Sequence, residues 1–163
     1  MVKQIISDAG PLIAFGRMDR LSILFQLFDS IIISKIVADE CISDLSRPGA
    51  INIKKAMDKG KINTNSKGLI GDFDEFVDIL GVGEASAIKL ALMDNLPLLI
   101  DEKLGRRAAI KLGIKIIGTA GVLILAKQHN IIDKVSPVID TLKKNEYRMS
   151  QDLIQETLKL AKE

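Results

Sequence analysis

Short apolar runs alternate with segments of helical spacing over the first three quarters of the chain. Four runs are apolar almost throughout instead of alternating with polar residues, at 4–7, 30–34, 96–100 and 114–117. Strands that are buried on both faces of a parallel sheet have this pattern. Between these runs, apolar residues recur at helical spacing over 21–28, 36–45, 84–93 and 103–112. The alternation predicts a three-layer α/β/α fold with a central, mostly parallel sheet of four to five strands.

The last third of the chain is helical in pattern. Three segments, 119–130, 136–145 and 150–162, have helical spacing. Ser136 followed by Pro137 predicts an N-cap and a first-turn proline, and Ser150 predicts the N-cap of the last helix. The C-terminal helices, at about 136–163, are expected to pack either on the sheet or on a partner. The stretch 47–69 has no clear pattern and is interpreted as a helical excursion. Because no linker interrupts the chain, we expect a single domain over residues 1–163.

The composition excludes several kinds of site. The 163 residues carry 23 Lys and Arg against 21 Asp and Glu, with one histidine and one cysteine. An intramolecular disulfide, a zinc site built from several cysteines and a site with several histidines are therefore excluded. No apolar run approaches the ~18 residues of a membrane span, and the first residues lack a signal-peptide pattern, so we expect a cytoplasmic protein without membrane contact. Carboxylate oxygen is what remains in quantity for chemistry.

Acidic residues follow the apolar runs. Asp8 comes directly after the first run, and Asp101 and Glu102 come after the third. Ligands of parallel α/β sheets bind outside the carboxyl ends of the strands, so Asp8 and Asp101 are expected at one edge, ~5 Å apart if their strands are neighbours. Glu40 and Glu84 stand early in two of the predicted helices. Each acid alone has a purely structural alternative, as a helix cap or as a first-turn acid that complements the helix dipole.

Taken in order, these acids and the residues around them resemble the PIN domain, a compact α/β nuclease fold found in many prokaryotic toxin–antitoxin pairs. The similarity is greatest to the branch related to VapC-type toxins. The motifs that carry it are Asp8-Ala9-Gly10-Pro11-Leu12-Ile13, Glu40, Leu80-Gly81-Val82-Gly83-Glu84-Ala85 and Ile100-Asp101-Glu102. Further along, 108–113, Ile116-Ile117-Gly118-Thr119 and Tyr147-Arg148-Met149-Ser150 are also similar to this branch. The resemblance implies a metal-dependent endoribonuclease that cuts single-stranded RNA, with an antitoxin protein as a possible partner and a homodimer as the expected assembly.

The acids predict a divalent metal site. Two carboxylates 5 Å apart repel by roughly 3 kcal/mol at an effective dielectric constant of 20, and a cation offsets this cost. Oxygen-only ligands favour Mg²⁺ or Mn²⁺, as one or two ions. Asp8 and Asp101 are predicted to be direct ligands, and Glu40 and Glu84 to be ligands or water-positioning groups. All four are predicted to be catalytic.

Other residues are candidates for supporting roles. Glu102, Thr119 and Ser7 are candidates for an outer shell around the metal. Arg106 and Lys103, three residues apart on one helix, are candidates for phosphate contacts.

Two alternatives remain open. Gly10 stands where the family usually carries Ser or Thr, which favours a catalytically weak or inactive PIN-like module that binds RNA or a protein. A phosphoryl-handling domain of the response-regulator type also clusters acids at strand ends, but it needs a lysine late in the sheet. Lys115 stands at the start of a predicted strand, which is the wrong end.

Overall fold

The computed structural model describes residues 4–66 and 79–163. Within these ranges a parallel five-stranded sheet has the order β3-β2-β1-β4-β5. The strands are β1 (Gln4–Ser7), β2 (Ser30–Ser34), β3 (Ile62–Asn65), β4 (Leu98–Leu99) and β5 (Ile116–Ile117). The helices are α1 (Ala9–Arg17), α2 (Leu21–Leu27), α3 (Lys35–Ile42), α4 (Ala50–Asp58), α5 (Val82–Asp94), α6 (Lys103–Lys111), α7 (Thr119–Gln128), α8 (Ser136–Lys144) and α9 (Gln151–Leu160). The predicted three-layer α/β/α fold is confirmed.

The centre of the sheet is the apolar core of the protein. Ile5, Ile6, Ile31 and Ile33 are completely buried, as β-branched residues are when helices cover both faces of a parallel sheet. Strand β1 pairs with β2 on one side and with β4 on the other. The order of the strands therefore reverses between β1 and β4, and the loops that leave this switch point are where an α/β sheet binds its ligands.

The predicted helical excursion over 47–69 was wrong in part. The structure has helix α4 there, followed by strand β3 at the edge of the sheet, and residues 67–69 lie outside the described ranges. Strand β3 has the sequence Ile-Asn-Thr-Asn, and only Ile62 in it is buried. An edge strand with one apolar residue has neither the continuous nor the alternating pattern by which a strand is recognised.

The C-terminal helices α8 and α9 pack on the rest of the chain. Ile154 and Ala161 belong to the apolar core, and the hydroxyl of Ser150 caps α9 by accepting a hydrogen bond from the amide of Leu153 at 3.1 Å. The predicted cap at Ser136 was wrong by one residue, because Val135 is the N-cap of α8. The amide of Val135 donates to the carboxylate of Glu163 at 2.6 Å. The side chain of Glu163 therefore accepts one of the backbone hydrogen bonds that are left without a partner at the start of α8.

None of the helices in the described ranges is both long and apolar enough to cross a bilayer.

Candidate active site

A cleft of ≈ 960 Å³ lies at the carboxyl ends of β1 and β4. Asp8, Glu40, Glu84 and Asp101 all line it, although they come from four separate places in the chain. Asp8 and Asp101 follow neighbouring strands, since Ser7 of β1 pairs with Leu99 of β4. The structure thus brings the four predicted acids to one cavity at the switch point of the sheet.

Asp8 is the most buried of these acids, with 6% of its surface exposed. It stands at the N-cap position of α1, yet its side chain makes no capping hydrogen bond. Burial raises the pKa of Asp8 from 3.8 to about 7, and the carboxylates of Glu84, Glu40 and Asp101 add to the rise, against a lowering by the backbone of Ala9. A buried acid whose neighbours are also acids is costly to ionise, which is typical of functional sites.

Asp101 is held by the residue that begins helix α7. Thr119 donates two hydrogen bonds to its carboxylate, from the amide at 2.7 Å and from the hydroxyl at 2.6 Å. Thr119 is completely buried, and the hydroxyl of Tyr147 lies in hydrogen-bonding reach of both residues. Asp101 is therefore fixed in orientation by a second layer of donors.

Glu40 lies in the last turn of α3 and not early in its helix as predicted, whereas Glu84 lies in the first turn of α5 as predicted. The two acids are near enough for the charge of Glu40 to act on Glu84. The hydroxyls of Ser34 and Ser86 lie 2.6 Å apart, and that of Ser86 also donates to the carbonyl of Gly83 at 2.7 Å. This buried pair ties the start of α5 to the end of β2. The carboxylate of Glu40 then lies against Gly83, where even a methyl group would overlap it. Partial burial raises the pKa of Glu40, and it raises that of Glu84 together with the charges of Glu102 and Glu40.

Comparison with known families agrees with this arrangement. A sequence model described as a PIN domain matches residues 4–163 of the chain. The chain belongs to the PIN-domain family. PIN domains are generally metal-dependent nucleases that use divalent ions. This match confirms the family and does not test the predicted branch related to VapC-type toxins.

A solved structure supports the fold. It is described as a domain of a functionally unknown protein from Methanocaldococcus jannaschii DSM 2661, with a TM-score of 0.50 and 21% identity over 71% of this chain and 90% of that one. At this identity the similarity concerns the fold alone. No curated protein matches the chain significantly.

The predicted supporting residues of this PIN domain differ in where they lie. Glu102 lines the cleft but is also the N-cap of α6, since its carboxylate accepts from the amide of Gly105 at 2.8 Å. Ser7 is buried outside the cleft lining, and its hydroxyl donates to the carbonyl of Asp8 at 2.8 Å. Arg106 lines the cleft and donates to the carbonyl of Ile100 at 2.9 Å, whereas Lys103 is exposed and does not line it. Arg106 is thus the better placed of the two cations.

The cleft also contains residues that the sequence did not single out as functional. Tyr147 and Arg148 reach it from the loop between α8 and α9, and Leu153 reaches it from the first turn of α9. They lie more than 40 positions after Asp101, and the helical pattern of 150–162 that includes Leu153 does not show which part of the chain this residue faces. The packing of α9 on α7 brings this segment to the acids.

The donor set of the cleft suits a hard divalent cation, since its titratable groups near Asp8 are carboxylates. As the side chains are placed, no three carboxylate, imidazole or thiol groups in the described part of the PIN domain lie close enough to share one ion. Glu40 and Glu84 are the acids with the longer side chains and more exposure than Asp8. An ion held by more than two acids therefore requires one of these side chains to turn.

Proposed function

We propose that this PIN domain is an Mg²⁺- or Mn²⁺-dependent endonuclease that hydrolyses phosphodiester bonds in single-stranded RNA. The observation that supports it is the cleft at the β1–β4 switch point, which is lined by four acidic residues from separate places in the chain. The raised pKa of Asp8 supports it further, because a cluster of acids that disfavours its own ionisation is stabilised by a bound cation.

Each residue has a role in this proposal. A divalent cation, when bound, polarises the scissile phosphate and lowers the pKa of a coordinated water. Asp8 and Asp101 hold the ion, and Thr119 keeps the Asp101 carboxylate in one orientation. Glu40 and Glu84 complete the ligand set or position the attacking water. Arg106, beside Asp101 at the edge of the cleft, offers positive charge to the phosphate.

A cleavage assay tests the proposal. We expect a fluorophore-labelled single-stranded RNA to be cut in Mn²⁺ or Mg²⁺, and the cutting to stop in EDTA. A matched RNA duplex should be cut far more slowly. The variant Asp101→Asn should be inactive, while Asp39→Asn, which changes an exposed acid next to Glu40 that does not line the cleft, should keep its activity. Cleavage that persists in EDTA or in Asp101→Asn would overturn the proposal.

Thr119→Val is expected to weaken Mn²⁺ binding by about 10- to 100-fold, since donors that orient a ligating carboxylate contribute on this scale. Valine has nearly the same shape but lacks the hydroxyl that donates to Asp101 at 2.6 Å. Isothermal titration calorimetry measures the effect, and Thr119→Ser, which keeps a hydroxyl, serves as the control. Equal affinity in Thr119→Val and the wild type would contradict the proposal that the hydroxyl of Thr119 orients a ligating carboxylate.

The second candidate function is a binding module that holds RNA or a protein without cutting. It is favoured by Gly10, which lines the cleft without the hydroxyl that the family usually has there. We also propose that the protein forms a homodimer and binds an antitoxin protein in the cytoplasm, as the resemblance to toxins implies. Light scattering of the purified chain, alone and after co-expression with the product of a neighbouring gene, tests both.

Gly10→Ser should separate the two functions. Among the described residues outside the adjoining backbone, no atom lies within 4 Å of a side-chain carbon built at Gly10, so serine fits without displacing any of them. In a nuclease, the added hydroxyl should raise the rate of RNA cleavage at low Mn²⁺ by a few-fold, because it supplies one more oxygen donor for the ion or its water. A binding module would cleave RNA neither as the wild type nor as this variant. Slower cleavage by Gly10→Ser would contradict the assignment of this position to the metal site.

A further inference from the structure

The lining of the cleft includes apolar residues besides the acids. We call the surface formed by Ile13, Ala120, Gly121, Tyr147 and Leu153 the apolar half. The whole cleft, at ≈ 960 Å³, is in the size range of pockets that enclose drug-sized molecules, so a metal ion and one phosphate group leave much of it unfilled. Water forms few hydrogen bonds with apolar walls. A flat ring bound there would remove apolar surface from water, which is favourable.

The outer wall of the apolar half is held in place. Glu146 forms an ion pair with Arg17 of α1 at 2.9 Å, and the amide of Tyr147 donates to the carbonyl of Leu142 at 3.0 Å. Ser150 caps α9 directly before the turn that carries Leu153. The loop and the helix start that form this wall are therefore tied both to α1 and to α8.

Leu153 is directed away from the core. It is 40% exposed, while its neighbour Ile154 is 6% exposed and belongs to the core. Leu160, two turns later on the same helix, is also exposed but does not line the cleft. Leu153 thus lines the cleft as an apolar side chain without being part of the core on which α9 packs.

Arg148 adds positive charge at the same wall. It is exposed, lines the cleft, and forms no hydrogen bond or ion pair with any residue in the ranges 4–66 and 79–163. An unpaired guanidinium beside an apolar surface is suited to a single-stranded nucleic acid, in which flat bases and phosphates alternate.

We propose that the apolar half binds one unpaired nucleobase next to the scissile phosphate, packed against Tyr147 and Leu153, while Arg148 contacts a neighbouring phosphate. This inference rests on the proposed function, because it takes RNA to be the substrate. A base within a duplex is stacked and paired and cannot enter, so the subsite accounts for a preference for single strands. The recognition is by shape and stacking and carries little sequence preference.

Binding without cleavage tests the subsite. Fluorescence anisotropy is measured for a labelled octauridylate and for an octamer of the same charge that lacks all its bases, with Ca²⁺ in place of Mn²⁺. The integrity of the RNA is checked on a gel. Wild-type protein should bind the abasic octamer about tenfold more weakly. Leu153→Ala should weaken binding of the octauridylate about threefold and leave the abasic octamer unaffected, because the apolar contact is made to the base.

Two matched controls define the result. Leu160→Ala should bind both octamers as the wild type does. Arg148→Gln should weaken the binding of both octamers equally and should lower the salt dependence of their affinity by about one phosphate contact. Arg107→Gln, which changes an exposed arginine outside the cleft lining, should have neither effect.

The subsite is overturned if the wild type binds the two octamers equally, or if Leu153→Ala and Leu160→Ala behave alike. Base-dependent binding by a protein that does not cut RNA would instead refute the nuclease and leave the subsite standing. Cleavage of RNA by a protein that binds both octamers equally would refute the subsite and leave the nuclease standing.

Discussion

Asp8→Asn is expected to abolish metal-dependent cleavage of RNA and, without metal, to make the protein more stable at pH 8. The pKa of Asp8 is about 7 in the folded protein against 3.8 ordinarily. Between these values the folded state binds the proton that the unfolded state has lost, so the free energy of unfolding falls as the pH rises from about 4 to 7. Asparagine carries no charge and avoids this loss.

The size of the effect follows from the shift. One pKa unit corresponds to about 1.36 kcal/mol, so the stability of Asp8→Asn relative to the wild type should grow by about 2–3 kcal/mol between pH 5 and pH 8. Urea denaturation in EDTA at both pH values measures it. Asp39→Asn, which neutralises an exposed acid outside the cleft lining, should follow the wild type at both. If the difference between Asp8→Asn and the wild type is the same at pH 5 and pH 8, the charged form of Asp8 is not costly in the folded protein.

Mn²⁺ should reverse the order of stability. A cation that binds only the folded state stabilises it in proportion to the logarithm of its concentration over the dissociation constant. The wild type should therefore gain thermal stability in Mn²⁺ at pH 8, while Asp8→Asn should gain little.

Gly83→Ala is expected to lower cleavage by about 100-fold or more while the fold persists. The added methyl group would occupy the place of the Glu40 carboxylate, which is the mobile end of a flexible side chain and can move away. A catalytic group displaced by about 1 Å loses on the order of 100-fold in rate. Because alanine is a better helix former than glycine, the loss of activity should come without a loss of stability.

Gly10→Ala is the matched control for this variant. Gly10 and Gly83 are each the second residue of a helix that opens onto the cleft, α1 and α5. A methyl group at Gly10 has no neighbour within 4 Å in the part of the chain that the structure describes, apart from the adjoining backbone. Steady-state cleavage rates and thermal melts of both variants should show the activity loss in Gly83→Ala alone. Full activity in Gly83→Ala would show that the observed position of Glu40 is not used in catalysis.

The sequence was sufficient to predict the central strands and the acids that follow them. Strands β1 and β2 have consecutive isoleucines at their centres because both faces of the sheet are covered, and this also locates the turn where Asp8 stands. Strand β3 could not be predicted, because Ile62 is its only buried residue. The limits of α8 depend on Glu163, a residue 28 positions from Val135, and sequence spacing does not show such a contact.

The cleft could be predicted only in part for the same reason. Asp8 and Asp101 are predictable since parallel strands end at one edge. The contact of Glu40 with Gly83 depends on the Ser34–Ser86 pair, whose members are 52 positions apart. Tyr147 and Leu153 reach the cleft because α9 packs on α7. The family resemblance around Tyr147 and the helical pattern around Leu153 do not show that these residues face the acids.

The most direct test of the metal site is a crystal structure determined after soaking in Mn²⁺, with anomalous scattering to locate the ion. The account predicts an anomalous peak in the cleft within bonding distance of Asp8 and Asp101, with Glu40 or Glu84 turned toward it. Crystals of Asp8→Asn treated in the same way should lack the peak. A cleft without an ion at millimolar Mn²⁺, or an ion bound only elsewhere on the protein, would contradict the proposal that these carboxylates form a metal-dependent nuclease site.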